Sequence, residues 1–116
     1  MLKIVILIKK KAGLTREQFI HHYETSHAPL GRKHLGHLFR RYVRNYPQDV
    51  VPIEGALSVG ETFDCITEIW LDDRAALEEM LRIVARPDVH AELAADEVQF
   101  QDKSQSRFLV VDELEG

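Results

Sequence analysis

The stretch FIHHYETSHAPL, residues 19–30, organises the rest of the chain, because it places a helix directly ahead of a histidine and a proline. Just before it, Thr15 and Gln18 have the spacing of a capping box, in which each side chain binds the other residue's backbone N–H. Leu14 and Phe19 flank this box at the positions of a hydrophobic staple. A cap of this kind contributes about 1 kcal/mol, so the helix start is well specified.

The end of this helix carries the strongest candidate for chemistry. Phe19, Tyr23 and His27 recur at every fourth position and therefore share one helix face. Pro29 biases Ala28 away from helical backbone angles, which predicts that the helix kinks or stops near His27. We therefore expect a titratable imidazole at a helix end, in line with two aromatic rings.

The composition narrows the class of protein. A chain of 116 residues is expected to form one domain, residues 1–116. The net charge of −4 argues against nucleic acid as a partner. The apolar run at residues 2–8 is too short to span a membrane and lacks the charge order of a secretory signal. With Cys65 as the single cysteine, we expect a cytoplasmic protein with no membrane partner.

The order of predicted elements indicates the fold class. Strands are predicted at residues 2–8, 38–46, 63–71 and 106–113. Between them lie the helix that begins after Thr15, a helix at residues 74–85 and a shorter helix opened by Pro87. Strand, helix, strand, strand, helix, strand (βαββαβ) is the ferredoxin-like α+β arrangement, with helices on one face of a four-stranded antiparallel sheet.

The first strand predicts a second subunit. Leu2, Ile4, Ile6 and Ile8 lie on one of its faces, and Val5 and Leu7 on the other, the pattern of a strand covered on both sides. One domain of this size can cover one face with its own helices, and a soluble monomer rarely exposes a large apolar patch. We therefore expect a homodimer with a barrel between the subunits and one cavity per subunit.

The segment at residues 47–60 has no clear period. It carries five aliphatic residues: Val50, Val51, Ile53, Leu57 and Val59. Loops of this length are uncommon in compact domains and are usually functional or held by packing. We expect this loop to lie at a cavity mouth or against a second subunit.

The predicted third strand carries two carboxylates with a tryptophan. Asp64, Glu68 and Trp70 share one strand face, because alternate residues point the same way. A carboxylate that faces an apolar cavity is suited to act as a base. The alternative is a cross-strand ion pair of Asp64 or Glu68 with Arg40 or Arg44.

Metal and cofactor motifs are weak. His34 and His37 are three residues apart, but no third ligand accompanies them, and Gly36 between them weakens the helix. The chain has no Gly-rich phosphate loop and no dinucleotide fingerprint. We therefore expect no metal and no bound cofactor.

Three stretches resemble the EthD-domain proteins, a family associated with bacterial degradation of ethyl tert-butyl ether. They are KKKAGLTREQFIHHYETSHAPL at 9–30, FDCITEIWLDD at 63–73 and DEVQFQDKSQSRFLVVDE at 96–113. Residues 48–61 match no motif of the family. The resemblance implies a dimeric α+β barrel. It also implies pocket residues at His27, Asp64, Glu68 and Trp70.

Relatives of that family include polyketide-tailoring decarboxylases and dehydratases, which act on small, largely apolar or aromatic molecules, often without a cofactor. The leading hypothesis is therefore a cofactor-independent cyclisation, decarboxylation or isomerisation of an apolar or aromatic carbonyl compound. His27 would transfer the proton, with Glu68 as partner and Tyr42 or Tyr46 as donor. The ligand-binding residues would be Phe19, Tyr23, Tyr46, Asp64 and Trp70.

Other interpretations stay open. His27 could simply cap the carbonyls of its own helix. The protein could be a non-catalytic binding or accessory protein of an oxidative degradation pathway, because no strong triad, metal or cofactor motif is present. It could also be an oxidoreductase component, as in ether degradation, which rests on the family resemblance alone.

Overall fold

The computed structural model describes residues 1–49, 51, 53–54 and 62–116. Most of the segment at 47–60 lies outside these residues, so the expected position of that loop stays a prediction. None of the helices in the described ranges is long and apolar enough to cross a membrane.

Four strands form one antiparallel sheet in the order β2-β3-β1-β4, and the helices pack on one of its faces. This is the predicted ferredoxin-like α+β fold. In chain order the elements are β1 (Leu2–Ile8), α1 (Arg16–His22), a π-helical segment (Tyr23–His27), α2 (Ala28–Leu35), β2 (Arg41–Asn45), β3 (Cys65–Leu71), α3 (Arg74–Ala85), α4 (Pro87–Phe100) and β4 (Arg107–Val111).

The predicted capping box starts α1. The Thr15 hydroxyl accepts from the Gln18 N–H at 3.1 Å, and the Gln18 side chain accepts from the Thr15 N–H at 2.9 Å. These two bonds satisfy backbone donors that the first helical turn leaves without partners. The helix therefore begins where the sequence predicts.

The helical run continues past His27, so of the two predicted outcomes the stop is wrong, while the regular α-helix is interrupted there by a π-helical turn. The chain continues through the π-helical segment into α2, and the N–H of Ala28 bonds the carbonyl of Tyr23, five residues back. Pro29 lacks an N–H and needs room at the carbonyl four residues earlier. The wider π turn provides that room, and Pro29 then occupies the first turn of α2, where proline is tolerated.

The helix α4 is longer than predicted. Pro87 opens it, but it runs for fourteen residues, whereas α3 has twelve. Its buried residues are Val89 near the start and Phe100 at the end. The additional turns carry the second half of α4 against the π-helical segment.

The sheet has two unlike faces, which we name the covered face and the open face. Helices pack on the covered face, where Cys65, Thr67, Ile69 and Leu71 of β3 are buried. The open face carries the alternate residues of β3, Ile66, Glu68 and Trp70. On the neighbouring strands β1 and β2, Val5 and Val43 lie opposite Glu68 and extend this face.

Two clusters form the core between the helices and the covered face. The aliphatic cluster joins α2, α3 and α4 to the sheet, and the aromatic cluster joins α1, the π-helical segment and the end of α4 to the sheet. The buried members of the aliphatic cluster are Ile4, Leu35, Ile69, Leu71, Leu77, Met80, Ile83 and Val89. Those of the aromatic cluster are Ile8, Phe19, Tyr23, Ala28, Cys65 and Phe100.

Candidate functional site

A cavity of about 440 Å³ lies between the covered face and the helices. Its walls are mostly aliphatic and come from several elements, including Ile6, Ile69, Leu35, Met80 and Leu93. This volume and this apolar lining are typical of sites that enclose small molecules. Residues of this single chain line the cavity, on the side of the sheet that the helices cover.

The cavity opens to solvent between α3 and β4. Leu81 and Phe108 both line it, yet they are 49% and 48% exposed. Large apolar side chains with this exposure in the wall of a cavity mark its mouth. An apolar ligand entering there would cover surface that is otherwise in contact with water.

His27 lines the cavity and is held by a carboxylate that does not line it. Its Nδ1 lies 2.8 Å from Oδ2 of Asp96, and the two side chains are 16% and 12% exposed. Asp96 Oδ1 also accepts from the Ser26 hydroxyl at 2.5 Å and lies 3.0 Å from His22 Nε2. The arrangement is a carboxylate–histidine pair, in which the acid orients the imidazole.

The charge state of Asp96 determines which nitrogen of His27 carries the proton. Burial acts to raise the pKa of Asp96, but the hydrogen bonds from Ser26 and His27 outweigh it, so this pKa lies below its ordinary value. An ionised carboxylate can only accept hydrogen bonds, so Nδ1 of His27 must donate. In the neutral imidazole, Nε2 then keeps a lone pair available to the cavity.

The π-helical segment explains why two histidines reach the same carboxylate. Its hydrogen bonds join residues five apart, and His22 and His27 are separated by five positions. His22 also stacks on the Phe100 ring, with centroids 4.9 Å apart and planes at 22°. Both imidazoles therefore lie against the end of α4, where Asp96 is placed.

A chain of hydroxyl groups lies beside His27. Tyr42 donates to the Tyr23 hydroxyl at 3.1 Å, and the Tyr23 hydroxyl lies 2.6 Å from the Thr67 hydroxyl. All three residues line the cavity. The rings of Tyr23 and His27 meet edge-on, with centroids 5.4 Å apart. Tyr23 thus contacts the imidazole of His27 through its ring and the Tyr42 hydroxyl through a hydrogen bond. We call this part of the cavity its polar end.

Burial keeps these tyrosines neutral. It raises the pKa of Tyr42 to about 12 and the pKa of Tyr23 well above its ordinary value. Tyr23 is 1% exposed, so its hydroxyl depends on Thr67 and Tyr42 for hydrogen bonds. At neutral pH the polar end therefore presents neutral hydroxyl groups.

Tyr46 lies outside the cavity, in a cluster around Glu24. Arg44 donates two hydrogen bonds to Glu24, at 2.9 and 2.6 Å, and Tyr46 donates a third at 2.5 Å. The hydrogen bonds from Arg44 are the main cause of a lowered pKa of Glu24. Arg44 also stacks on Tyr42, 4.6 Å above the ring centroid. The cluster fixes β2 against the π-helical segment.

The structure does not bring Glu68 and His27 together, so their predicted partnership is corrected. Glu68 lies on the open face, 3.3 Å from Lys3 Nζ, whereas His27 packs on the covered side. Successive residues of a strand point to opposite faces, so the sheet itself separates the two side chains. Asp96 holds the position next to His27 that was expected for Glu68.

Trp70 also lies on the open face rather than in the cavity. Its indole N–H donates to Glu113 at 2.7 Å. The Lys3 ammonium and the Arg41 guanidinium lie 4.5 and 4.9 Å from its ring centroid. The predicted role of Trp70 in ligand binding therefore does not apply to this cavity.

Asp64 binds the backbone just after the end of β1. Its carboxylate accepts from the Lys10 N–H at 2.7 Å and lies 3.7 Å from Lys9 Nζ. Asp64 and Glu68 both form ion pairs, as the alternative interpretation expected, but their partners are lysines and not the expected arginines. The predicted arginines are engaged elsewhere, Arg40 with Asp72 and Arg44 with Glu24.

Phe19 packs as a core residue. It is fully buried, and its ring contacts those of Tyr23, Tyr46 and Phe100 at centroid distances of 5.6 to 6.4 Å. It supports Tyr23 and does not line the cavity. Of the eight residues predicted for the site, Tyr23, His27 and Tyr42 reach it.

His34, one of the two histidines whose spacing is only a weak metal signal, is paired with a carboxylate. His34 Nε2 lies 3.1 Å from Glu92. Within the described ranges, no three His, Cys, Asp or Glu side chains converge as metal ligands.

Sequence reasoning missed Asp96, His22 and Thr67. A signal for Asp96 was present, because Val89, Leu93, Asp96 and Phe100 follow the 4-3-4 spacing of a buried helical stripe. An acid within such a stripe must be paired once buried. The underestimated length of α4 concealed this pattern.

Comparisons with known proteins agree with this fold. A family model described as the EthD domain matches residues 11–104. A crystal structure of an Arabidopsis thaliana protein superposes with a TM-score of 0.66 at 21% identity, covering 100% of this chain and 98% of that one. The chain has no significant match among curated proteins.

Two bacterial structures are also similar. An ethyl tert-butyl ether (EthD) family protein from Bacillus halodurans has a TM-score of 0.63 at 21% identity, covering 98% of this chain and 100% of that one. A dimeric protein with a ferredoxin-like fold from Bacteroides fragilis has a TM-score of 0.57 at 10% identity, covering 97% and 95%. At these identities the likeness shows the fold.

Proposed function

This chain belongs to the EthD domain family, and on that premise we propose that it is a small-molecule enzyme. The substrate class is an apolar or aromatic carbonyl compound held in the cavity of the covered face. His27 moves a proton on that substrate, and Asp96 orients the imidazole. The observation that carries the proposal is the 2.8 Å contact of His27 Nδ1 with Asp96 in the wall of an apolar cavity.

The proposed step is a proton transfer at the carbon next to the carbonyl. The lone pair on His27 Nε2 takes the proton, and the electron pair of the broken C–H bond forms the enolate. The imidazolium is stabilised by the carboxylate of Asp96. The imidazolium then returns the proton to oxygen or to a different carbon, which completes an isomerisation. In a cyclisation the enolate carbon instead attacks a second carbonyl of the substrate, whose π bond opens, and the imidazolium gives its proton to the resulting alkoxide. The protein's own side chains supply this proton transfer.

The experiment is deuterium exchange at carbon. Purified protein in deuterium oxide is mixed with a panel of aromatic ketones such as β-tetralone, and proton NMR follows the loss of signal beside the carbonyl. We expect exchange above the buffer rate, and His27→Gln should lower it by about 100-fold, the usual share of a positioned acid–base group.

The matched control is His21→Gln, which changes an exposed histidine of α1 that does not line the cavity. It should exchange like the wild type. Equal exchange by wild type and His27→Gln would contradict the proposal. Ligand binding without exchange would favour the alternative of a non-catalytic binding protein.

A homodimer through the open face is the second part of the proposal. The face combines aliphatic residues such as Val5 and Leu109 with Trp70, and Leu109 is 41% exposed. The similar structure from Bacteroides fragilis is described as dimeric. Burying such a patch against its own copy removes apolar surface from water.

The proposed location is the cytoplasm, where a free thiol such as that of Cys65 is maintained.

Sedimentation analysis tests the dimer. Leu109→Glu places a charge on the open face and should shift the protein toward the monomer at micromolar concentration. Val98→Glu is the control, because Val98 is 52% exposed on α4, away from that face. A wild-type protein that stays monomeric throughout would contradict this part.

A further inference from the structure

The hydrogen-bond donors that His27 and Tyr42 bring to the polar end of the cavity are already engaged inside the protein. His27 donates its Nδ1 proton to Asp96, and Tyr42 donates its hydroxyl proton to Tyr23. The Tyr23 hydroxyl is in turn paired with Thr67 at 2.6 Å. What these groups leave for a ligand is a set of lone pairs, on His27 Nε2 and on the Tyr42 oxygen.

Two features hold this polarity in place. Asp96 is ionised and accepts from Ser26 and His22 as well, so it cannot give a proton back to His27 Nδ1. The Arg44 guanidinium stacks on Tyr42, 4.6 Å from the ring centroid, and Arg44 is itself held by an ion pair with Glu24. The ring of Tyr42 is therefore positioned with its hydroxyl against Tyr23.

We propose that this end of the cavity selects ligands by a hydroxyl group, a phenol or an enol, that donates its proton to one of two acceptors, His27 Nε2 or the Tyr42 oxygen. A carbonyl or ether oxygen placed there would face lone pairs and lose its hydrogen bonds to water without replacement. The inference rests on the proposed function and narrows its substrate class. The carbonyl compounds turned over would be those that form a stable enol or already carry a phenol.

The same polarity gives the proton transfer a direction. The keto form loses a proton from carbon to His27 Nε2, and the imidazolium returns that proton to the enolate oxygen. The product is an enol whose O–H bond points at the acceptors that hold it. The cavity thus binds the enol form more tightly than the keto form, so the equilibrium of the bound compound shifts toward the enol.

A matched pair of probes tests the selection. β-Naphthol and its methyl ether share one ring system and differ in a single donor, and titration calorimetry measures both dissociation constants. We expect the naphthol to bind about tenfold more tightly, or better, since an unpaired buried acceptor is costly. Tyr42→Phe should reduce this ratio several-fold.

Tyr46→Phe is the control variant, because the Tyr46 hydroxyl is bonded to Glu24 and does not line the cavity. It should keep the wild-type ratio. Equal binding of naphthol and ether, no binding of naphthol, or a ratio unchanged by Tyr42→Phe would each overturn the inference. Carbon exchange without hydroxyl selectivity would contradict this inference and leave the proposed function in place. Hydroxyl selectivity without carbon exchange would support the selection of hydroxyl ligands and contradict the proposed function.

Discussion

The two faces of β3 carry polar groups in opposite ways. On the covered face, Thr67 is fully buried, and its hydroxyl is paired with Tyr23 at 2.6 Å. On the open face, Glu68 forms a partly exposed ion pair with Lys3 at 3.3 Å. Adjacent residues of one strand thus experience different environments. The candidate site therefore lies on the face that excludes water, and the position of charged residues along the strand is a poor guide to it.

The largest expected effect comes from truncating the same side chain on each face. Ile69 is 3% exposed on the covered face, and Ile66 lies three positions earlier on the open face. Ile69→Ala should lower the free energy of unfolding by about 2–5 kcal/mol, because it opens a hole in the core. Urea denaturation measures the loss, which should not vary with protein concentration.

The matched variant, Ile66→Ala, makes the same truncation on the open face. In dilute solution it should cost less than about 1 kcal/mol, the usual range for sites outside the core. If the open face joins two subunits, its cost should grow with protein concentration, because only the dimer buries it. Equal losses for the two variants in the monomer would break the distinction between the faces.

The second effect concerns the carboxylates of the two faces. Asp96→Asn removes the acceptor that fixes the His27 proton on Nδ1, and carbon exchange should fall by about 100-fold. Glu68→Gln should leave exchange within about twofold, because the sheet separates Glu68 from the cavity. Partial recovery in Asp96→Glu would show that the carboxylate orients His27. A larger loss in Glu68→Gln than in Asp96→Asn would reverse the assignment.

The smallest effect is spectroscopic and uses the three tyrosines of the chain, all of which pack on the covered side. Burial is the main cause that raises the pKa of each, to about 12 for Tyr42. The native protein should therefore develop little tyrosinate absorbance near pH 10.0, the ordinary tyrosine value. The protein in urea should titrate there. Native titration near the ordinary value would contradict the burial of these hydroxyls.

The same shift predicts alkaline instability. Because folding raises the pKa of Tyr42, the stability contributed by its neutral hydroxyl is complete below pH 10.0 and is lost as the pH rises through about 12. The free energy of unfolding, measured between these values, should fall. Tyr42→Phe should remove part of that dependence.

The sequence predicts the fold well because its signals are local. The alternation in β3, the Thr15–Gln18 box and the run at residues 74–85 each specify an element without reference to the rest of the chain. Helices on one face and an apolar first strand then indicate the layers. The face alternation even separates Cys65, Thr67 and Ile69 from Ile66, Glu68 and Trp70.

The site was harder to predict because it depends on contacts between distant elements. Asp96 lies 69 positions from His27, and no periodicity within one helix relates two helices to each other. Glu68 was predicted because an acid beside an aromatic residue often marks a pocket. The strand pattern does not show which face of the sheet the helices cover. The π-helical segment also has no simple signature beyond Pro29, since proline more often ends a helix.

The π-helical segment has a consequence for how the chain tolerates changes in length. Over the sixteen positions from Phe19 to Leu35, a uniform α-helix would turn the second side chain about 160° away from the first. One residue absorbed in a wide turn reduces this offset to about 60°, so both side chains can face the sheet. Deleting a single residue between positions 23 and 27 would therefore restore a regular α-helix in which fifteen positions give the same offset of about 60°, so the two halves would keep their relative orientation. A deletion elsewhere in the run has no such compensation, because it would turn one half by about 100° relative to the other. It would either remove Leu35 from the aliphatic cluster or turn the imidazole of His27 out of the cavity wall.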